Sequence, residues 1–573
     1  MKKKLPLFLL LFASCLLFPS SCGKQTSAAV GTESTDRSVL SLVPSPGSTE
    51  YRLIRGDLAE EYEISAAKTF RKRFEELTGI ELPLDDDWER EGISERTAKE
   101  IVIGKTNREN EYDPKREELS RGGYRVFAAG ERIVILAPDE KGMNAALDAF
   151  FEEIIPQAAS GTGTVSVPSD LLLFRAEGES FYKRKDYEAL NYPEMKAMWL
   201  SQYDLNPVYT DGGHQRSEKS YRTLIRRILE NVKGMGLNTV IVQLRPDADS
   251  MYPSEVAPPS AYVTGGYNTG FKYDPLSILI EEAHALSLSV HGWINPLRAM
   301  TAEKITGVSD AFRLGEWYRD KTKNGTFLVT VDGRVYLNPA YEEVRELILD
   351  GAAEILANYD VDGLHMDDYF YPTTDASFDS AAYRKNGKGK ELGAFRREQL
   401  NLLVSGLWSL TKEICPSALF GISPAGETDR VYYEHCADIY TWGAKEGYVD
   451  YLCPQIYWGF EHDTCAYDKM CQKWISIAKS DSVRLVIGMT LGKAVSGGDA
   501  YAGSGKNEWS EHKDILSRCV TYAGEQKKIT GISFFCYQYC FDPVTGTPNS
   551  ATATERKNLA ALDYLKPEAE NPD

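Results

Sequence analysis

The feature that most limits what this chain can fold into is a repeat running through its C-terminal two thirds. Short apolar runs recur at residues 197–201, 239–245, 289–295, 363–367, 419–423, 451–457, 484–490 and 531–537. Between most of them lie stretches with apolar residues at helical spacing, at 221–234, 276–286, 341–359, 395–414, 466–479, 511–523 and 551–565. Eight buried strands alternating with helices predict an α/β fold, a (β/α)8 TIM barrel, over residues 194–566. After the fifth run the pattern weakens. Residues 429–446 are rich in aromatics and read as mostly loop.

A small α/β domain is expected ahead of the barrel, over residues 50–177. Ile64 to Thr78 carries helical periodicity and stops at Gly79, 100–104 is a short apolar strand, 124–128 and 132–137 read as a hairpin, and 142–155 as a second amphipathic helix. The run Ile103-Gly104-Lys105-Thr106 is no phosphate-binding loop, because that motif needs a glycine at position 99, which is lysine.

The extreme N-terminus reads as an address. Lys2 to Lys4 precede an apolar run, Leu5 to Phe18, that is too short to span a bilayer comfortably, which is the pattern of an export signal. Pro19-Ser20-Ser21-Cys22-Gly23 then resembles a lipoprotein processing site, so residues 1–22 are expected to be a signal peptide with Cys22 lipidated. Residues 23–49, rich in Ser, Thr, Gly and Pro, are expected to be a flexible linker. The expected location is therefore the cell membrane, lipid-anchored, facing the extracellular or periplasmic side.

Composition excludes some partners. A formal charge of −19 repels phosphate backbones and argues against a nucleic-acid role. The cysteines beyond Cys22 are scattered from Cys415 to Cys540 without zinc-like spacing, so no metal or cofactor is expected, and those in apolar runs read as buried thiols.

Function is sought where barrel strands end. The fourth run closes in Val361-Asp-Gly-Leu-His-Met-Asp-Asp-Tyr-Phe-Tyr-Pro372, two adjacent carboxylates followed by three aromatics. The second ends in Gln243, Arg245, Asp247 and Asp249, the third in His291, Trp293, Asn295 and Arg298, the fifth in Ser423 and Glu427, the sixth in Gln455, Tyr457 and Trp458, and the eighth in Tyr537 and Tyr539. Strand alternation puts His365 and Asp367 on one face, toward the barrel mouth, and Asp368 on the other. Sugar rings offer apolar faces and polar edges, so aromatics such as Trp293, Tyr369, Tyr371, Tyr457, Trp458 and Tyr537 beside Arg245, Asp249, Asn295 and Gln455 suit a glycan. Taken singly, each has a plainer use: a tryptophan packs, a histidine bonds within the core, and an aspartate caps a loop.

At these residues the chain resembles the glycosyl-hydrolase-like family 10, exported bacterial barrel proteins, through QLRPDAD, HGWINPLR, VDGLHMDDYFYP, FGISPAGE and VDYLCPQIYWGF over about residues 194–545. It departs mildly: Ala248 stands where members often have glycine, and Ala425-Gly426-Glu427 follows Ser-Pro where Phe-Gly is common. The resemblance implies hydrolysis of O-glycosidic bonds in a bacterial envelope or extracellular polysaccharide, with peptidoglycan strands or an amino-sugar polymer as favoured substrates. Asp367 is the first expected catalytic group, with Asp368, Glu427 or Asp247 as its partner, His365 and Asn295 orienting it and Arg245 favouring its ionised form. Arg245, Asp247, Asp249, His291, Trp293, Asn295, His365, Tyr369, Gln455, Tyr457, Trp458 and Tyr537 are the expected substrate-binding set. Two rivals stand beside this reading. A metal-dependent amide hydrolase would need a His-x-His pair that the third run lacks, and a degenerate barrel would bind glycans on the cell surface without cleaving them.

Overall fold

A computed structural model describes residues 39–89, 96–112, 119, 122–154, 164–175, 184–387 and 389–566. The chain divides into two compact units, Met1–Glu179 and Ser180–Asp573. The expected signal segment, with Cys22, and the first part of the linker lie outside the described residues. Val39–Val43, expected within the flexible linker, is instead a strand paired antiparallel with Val165–Pro168. The reason is burial: Leu40, Leu42 and Val43 are interior side chains, a gain that a solvated tether forgoes.

The first unit is a six-stranded sheet in the order Leu84–Asp86, Arg52–Arg55, Glu100–Ile103, Arg132–Leu136, Tyr124–Ala129 and Leu172–Arg175. Helices Glu61–Thr78 and Glu140–Ala149 supply Phe70, Phe74, Met143 and Leu147 to its core. Gly104 adopts φ +74°, and Glu63 Oε1 accepts the Lys105 N–H there, so this glycine turns the chain beside a carboxylate. Glu100, wholly buried, pairs with Arg108, Arg52 and Arg132; against burial, Arg108 first and Arg52 second hold its carboxyl down at about 2.

In the second unit eight parallel strands close into a barrel. They are β1 (Met195–Leu200), β2 (Thr239–Arg245), β3 (Ser289–Ile294), β4 (Gly363–Met366), β5 (Leu419–Ile422), β6 (Tyr451–Leu452), β7 (Arg484–Thr490) and β8 (Ile529–Phe535). Helices Glu218–Gly234, Pro275–His284, Glu342–Asn358, Leu392–Ile414, Tyr467–Ile477, Ile515–Gly524 and Ala553–Ala560 connect or follow them. Local chemistry fixes where the helices begin. Asp274, for example, accepts the Leu276 and Ser277 N–H groups while Pro275 opens the helix.

Alternating side chains divide the barrel into two cores. Trp199, Ile241, Trp293, Tyr451, Cys453 and Val486 fill the lumen, while Val240, Val242, Val290 and Leu364 pack outward under the helices. β6 is shorter than its apolar run. Pro454 has no N–H to donate, and Gln455 makes only single bridges to Ala425 and Gly488. Beyond β3 the chain leaves the barrel for a three-stranded antiparallel sheet, Arg298–Thr301, Arg334–Leu337 and Leu328–Val331. After β5, where loop was expected, two short helices stand, Thr428–Tyr433 and Ile439–Trp442. Among the described residues no helix is long and apolar enough to cross a membrane.

Candidate active site

Below the strand ends the lumen holds a hydrogen-bonded chain whose direction is fixed at one end. Asn191 Nδ2 donates to the carbonyls of Asp362 (2.8 Å) and Ser417 (3.3 Å), so its Oδ1 faces His291 Nε2 at 3.1 Å. His291 Nε2 therefore carries the proton, and Nδ1 accepts from the Tyr451 hydroxyl at 2.9 Å. The Tyr451 oxygen in turn accepts from His365 Nδ1 at 2.7 Å, leaving His365 Nε2 to accept from Ser423 Oγ at 3.0 Å. Every position is matched with neutral rings. Burial agrees, lowering both imidazoles below their ordinary range and His291 to about 4.

Two glycines make room for this chain. A Cβ on Gly363 would lie 2.6 Å from His291 Nδ1, and one on Gly421 would lie 2.0 Å from the Tyr451 ring. His291 and His365, expected to meet substrate, are thus committed to the lumen, and His365 does not orient Asp367.

Directly above, a second relay ends on Asp367. The Gln202 N–H donates to Gln243 Oε1 (2.7 Å), Gln243 Nε2 to Asn295 Oδ1 (2.8 Å), and Asn295 Nδ2 to Asp367 Oδ2 (2.7 Å). Because the first donor is a backbone N–H, both amide orientations follow from it. Asp367 Oδ2 is always an acceptor, so any proton on this carboxyl sits on Oδ1. That oxygen receives only the distant Tyr369 N–H, at 3.5 Å. Asp367 is 2% exposed; burial first and the Asp368 charge second raise it well above the usual carboxylate range, against Arg298 and Asn295, which favour its ionised form.

The adjacent carboxylate turns the other way, as alternation predicts. Asp368, half-buried, is raised to about 6 by burial, with hydrogen bonding to Gln455 and the charges of Arg430 and Arg298 opposing the rise. Gln455 Nε2 also donates to the Ser423 carbonyl at 3.2 Å, which joins the two carboxylate neighbourhoods through β5. Tyr457 lies within range of both carboxylate charges and stacks on Phe535 with centroids 5.9 Å apart. Trp458 packs over Gly426 and meets His462 edge-on.

On the opposite side of the mouth, Asp247 accepts from Arg334 Nη1 at 2.8 Å and pairs with Arg298 Nε at 3.2 Å. Arg298 also lies 4.6 Å over the ring of Tyr369, which is 39% exposed. Asp247, Asn295, Asp367, Asp368, Tyr369, Gln455 and Tyr457 are therefore brought together, while Trp458 lies over Gly426 beyond Gln455.

Other expected site residues are placed elsewhere. Arg245 points outward, because β2 carries an extra residue between Gln243 and Arg245 opposite β3; its guanidinium packs against Gly351 of the helix Glu342–Asn358. It therefore cannot favour the ionised form of Asp367 by contact. Trp293 is 5% exposed and meets Trp199 edge-on inside the lumen, so it offers no platform. Tyr371 is buried beside Phe378 and Arg396. Tyr537 is buried, stacked on Phe541, and its hydroxyl accepts from Asn231. Asp249 is buried, accepting the Asp247 N–H at 2.9 Å. Glu427 gives both oxygens to the Asp429 and Arg430 N–H groups, capping the next helix. Among the described residues no group of three or more His, Cys, Asp or Glu side chains could hold a metal ion.

Some members of the site went unread in the sequence. Gln202 acts through its backbone N–H, which leaves no residue signal. Arg334 arrives on a hairpin whose signal was present: Asp332-Gly333, both with positive φ, between alternating strands. Tyr203, 59% exposed, and Tyr262 form an edge-on pair at the same rim as Arg298.

Residues 194–499 match the family model described as glycosyl hydrolase-like 10. The chain is 33% identical over 362 residues to the glycosyl hydrolase YngK of Bacillus subtilis (strain 168), spanning 60% of this chain and 68% of that protein. It is 30% identical over 332 residues to the glycosyl hydrolase DigH of Escherichia coli (strain K12), spanning 52% of this chain and 73% of that one. Solved structures similar to it include the PgaB (BpsB) glycoside hydrolase domain from Bordetella bronchiseptica, with a TM-score of 0.40, 10% identity, and coverage of 65% of this chain and 100% of that one. A beta-N-acetylhexosaminidase from Bacteroides fragilis aligns with a TM-score of 0.38 and 12% identity, covering 94% of this chain and 91% of that one.

Proposed function

The chain belongs to the glycosyl hydrolase-like 10 family, and on that premise we propose that its barrel hydrolyses O-glycosidic bonds with Asp367 as the proton-transferring group. One observation carries the reading: a buried carboxyl with one oxygen held by Asn295 at 2.7 Å and the other reached only by the Tyr369 N–H at 3.5 Å among the described residues. A general acid must keep its proton near neutral pH and present it from a fixed direction. Burial and the neighbouring Asp368 charge do the first for Asp367, and the amide relay does the second.

Asp367 Oδ1–H donates to the leaving-group oxygen as the glycosidic bond breaks. The positive charge that builds at the anomeric carbon then needs an ionised carboxylate nearby. Of the three candidates Asp368 suits this best. Glu427 is engaged as a helix cap, and Asp247 already faces two guanidinium groups. Tyr369, Tyr457 and Trp458 supply ring faces and Gln455 a polar edge for the sugar.

The substrate we favour is an envelope or extracellular polysaccharide, with peptidoglycan glycan strands or a partly deacetylated amino-sugar polymer first. Support for this comes from the N-terminal sequence, which reads as an export signal with Cys22 as a lipid anchor and would place the barrel among such polymers.

The test is release of reducing ends from peptidoglycan strands, poly-N-acetylglucosamine and common plant glycans by the purified protein. Asp367→Asn should lower turnover about a thousandfold, the order expected of a positioned acid, without changing the melting temperature. Wild-type turnover in that variant would refute the assignment, and glycan binding without new reducing ends would favour a non-catalytic barrel.

A further inference from the structure

The segment after β5 was singled out by its aromatics and is not used by the chemistry above. In the structure it carries two exposed tyrosines, each in contact with a half-buried third. Tyr432 meets Tyr433 edge-on at 5.0 Å and Tyr440 at 5.1 Å, while Tyr433 is 68% and Tyr440 45% exposed. Single exposed aromatics are ordinary, but a fixed cluster of them is an uncovered apolar surface.

The cluster is held rigidly. Val431, in the same short helix, is fully buried, and the Arg397 guanidinium lies 4.3 Å over the Tyr432 ring while donating to the Tyr432 carbonyl. Rings already fixed in place lose little conformational freedom when a ligand lies against them. Beside Tyr432 opens a cleft of about 550 Å³ whose other walls mix polar Lys390, Arg397, Asn401 and Asp438 with Leu402 and Tyr448. Ring faces next to hydrogen-bonding edges match a pyranose better than an apolar peptide.

The cluster is tied to the candidate active site through the segment that carries it. Ser423 ends β5 and joins His365 to Gln455, Glu427 caps the helix that carries the tyrosines, and Arg430 on that helix acts on Asp368. We propose that Tyr432, Tyr433 and Tyr440 form a distal sugar-binding platform that holds pyranose rings of a polymeric glycan beyond the bond being cleaved. This rests on the glycosidase reading for its link to turnover, but binding can be measured without cleavage.

The experiment is affinity electrophoresis of the full chain through gels containing peptidoglycan glycan strands or partly deacetylated poly-N-acetylglucosamine. The wild type should be retarded by at least one of them. The double variant Tyr433→Ala/Tyr440→Ala should lose at least tenfold in apparent affinity at an unchanged melting temperature, whereas Tyr433→Phe/Tyr440→Phe, which keeps the rings, should retain it. On hydrolysis, the alanine variant should lose at least tenfold more kcat/KM on polymer than on an aryl disaccharide. Equal retardation of wild type and alanine variant, or no retardation of the wild type by either polymer, overturns the platform. Retardation lost in the alanine variant while the wild type cleaves nothing would leave the platform standing and refute the hydrolase reading.

Discussion

Replacing Asn295 with leucine isolates the contribution of the amide relay to the acidity of Asp367. The substitution removes a 2.7 Å hydrogen bond donated by Nδ2 to Oδ2 of a carboxyl that is 2% exposed. A hydrogen bond to a charged group contributes about 1.5–3 kcal/mol. At about 1.4 kcal/mol per pH unit, losing it from the ionised form raises the Asp367 pKa by about 1–2 pH units. Activity that needs the protonated acid is present below that pKa and lost as pH rises through it. The alkaline limb of the kcat/KM profile should therefore move upward by about 1–2 pH units, while kcat at the optimum falls because Oδ1 is no longer aimed. The assay is the pH–rate profile on whichever glycan the wild type cleaves, read beside a urea titration. Gln243 Nε2 loses its buried acceptor, so stability should fall by about 1–3 kcal/mol. An alkaline limb that stays in place in a folded variant would refute the idea that Asn295 sets the proton affinity of Asp367.

Four further outcomes are expected. Tyr451→Phe leaves the facing nitrogens of the buried His291 and His365 without their partner, costing about 3 kcal/mol and about 4 °C of melting temperature for a barrel of this size, as scanning calorimetry would register. The contribution of His291 to stability should fall by about 3 kcal/mol between pH 6.5 and 4, because the unfolded imidazole takes up a proton over that range that the folded ring, held at about 4, refuses, while the raised Asp367 and Asp368 act in the opposite direction; urea titrations of wild type and His291→Gln at both pH values isolate it. Ala248 adopts φ +57°, a left-handed conformation that costs alanine more than glycine, so Ala248→Gly should stabilise the protein by about 0.5–1 kcal/mol in urea unfolding even after the added entropy of the unfolded chain. The eight described cysteines are buried and unpaired, with Cys453, Cys471 and Cys540 pushed up to about 12 by burial, so a thiol reagent should label the native protein slowly and the urea-unfolded protein fully.

How far the site was legible depended on what each signal reports. Strand alternation put Asp367 on the face of Asn295, with which it hydrogen-bonds, and Asp368 on the other, because a period of two survives along a regular strand. It failed at Arg245 for the same reason. One extra residue after Gln243 reverses the parity, and nothing in QLRPDAD marks that bulge. The closed barrel was legible from eight apolar runs, whereas the end of β6 was set by Pro454, whose missing N–H the run of hydrophobic residues disguised.

Alternation also says which face a residue occupies but not how deep along the barrel it sits. His291, Trp293 and Asn295 do share the inward face, yet the register places His291 level with Gly363 and Trp293 level with His365. Only Asn295 reaches the layer of Asp367. The lower layers are closed by a hydrogen-bonded chain that needs a histidine on each side of Tyr451 and a glycine opposite the His291 and Tyr451 rings. Two polar residues in an inward strand pattern are therefore as consistent with a sealed lumen as with a substrate pocket. What separates them is whether every donor finds an internal partner. By that criterion His291, Tyr451 and His365 are satisfied, whereas Asp367 Oδ1 receives only the distant Tyr369 N–H among the described residues and keeps hydrogen-bonding capacity for a substrate.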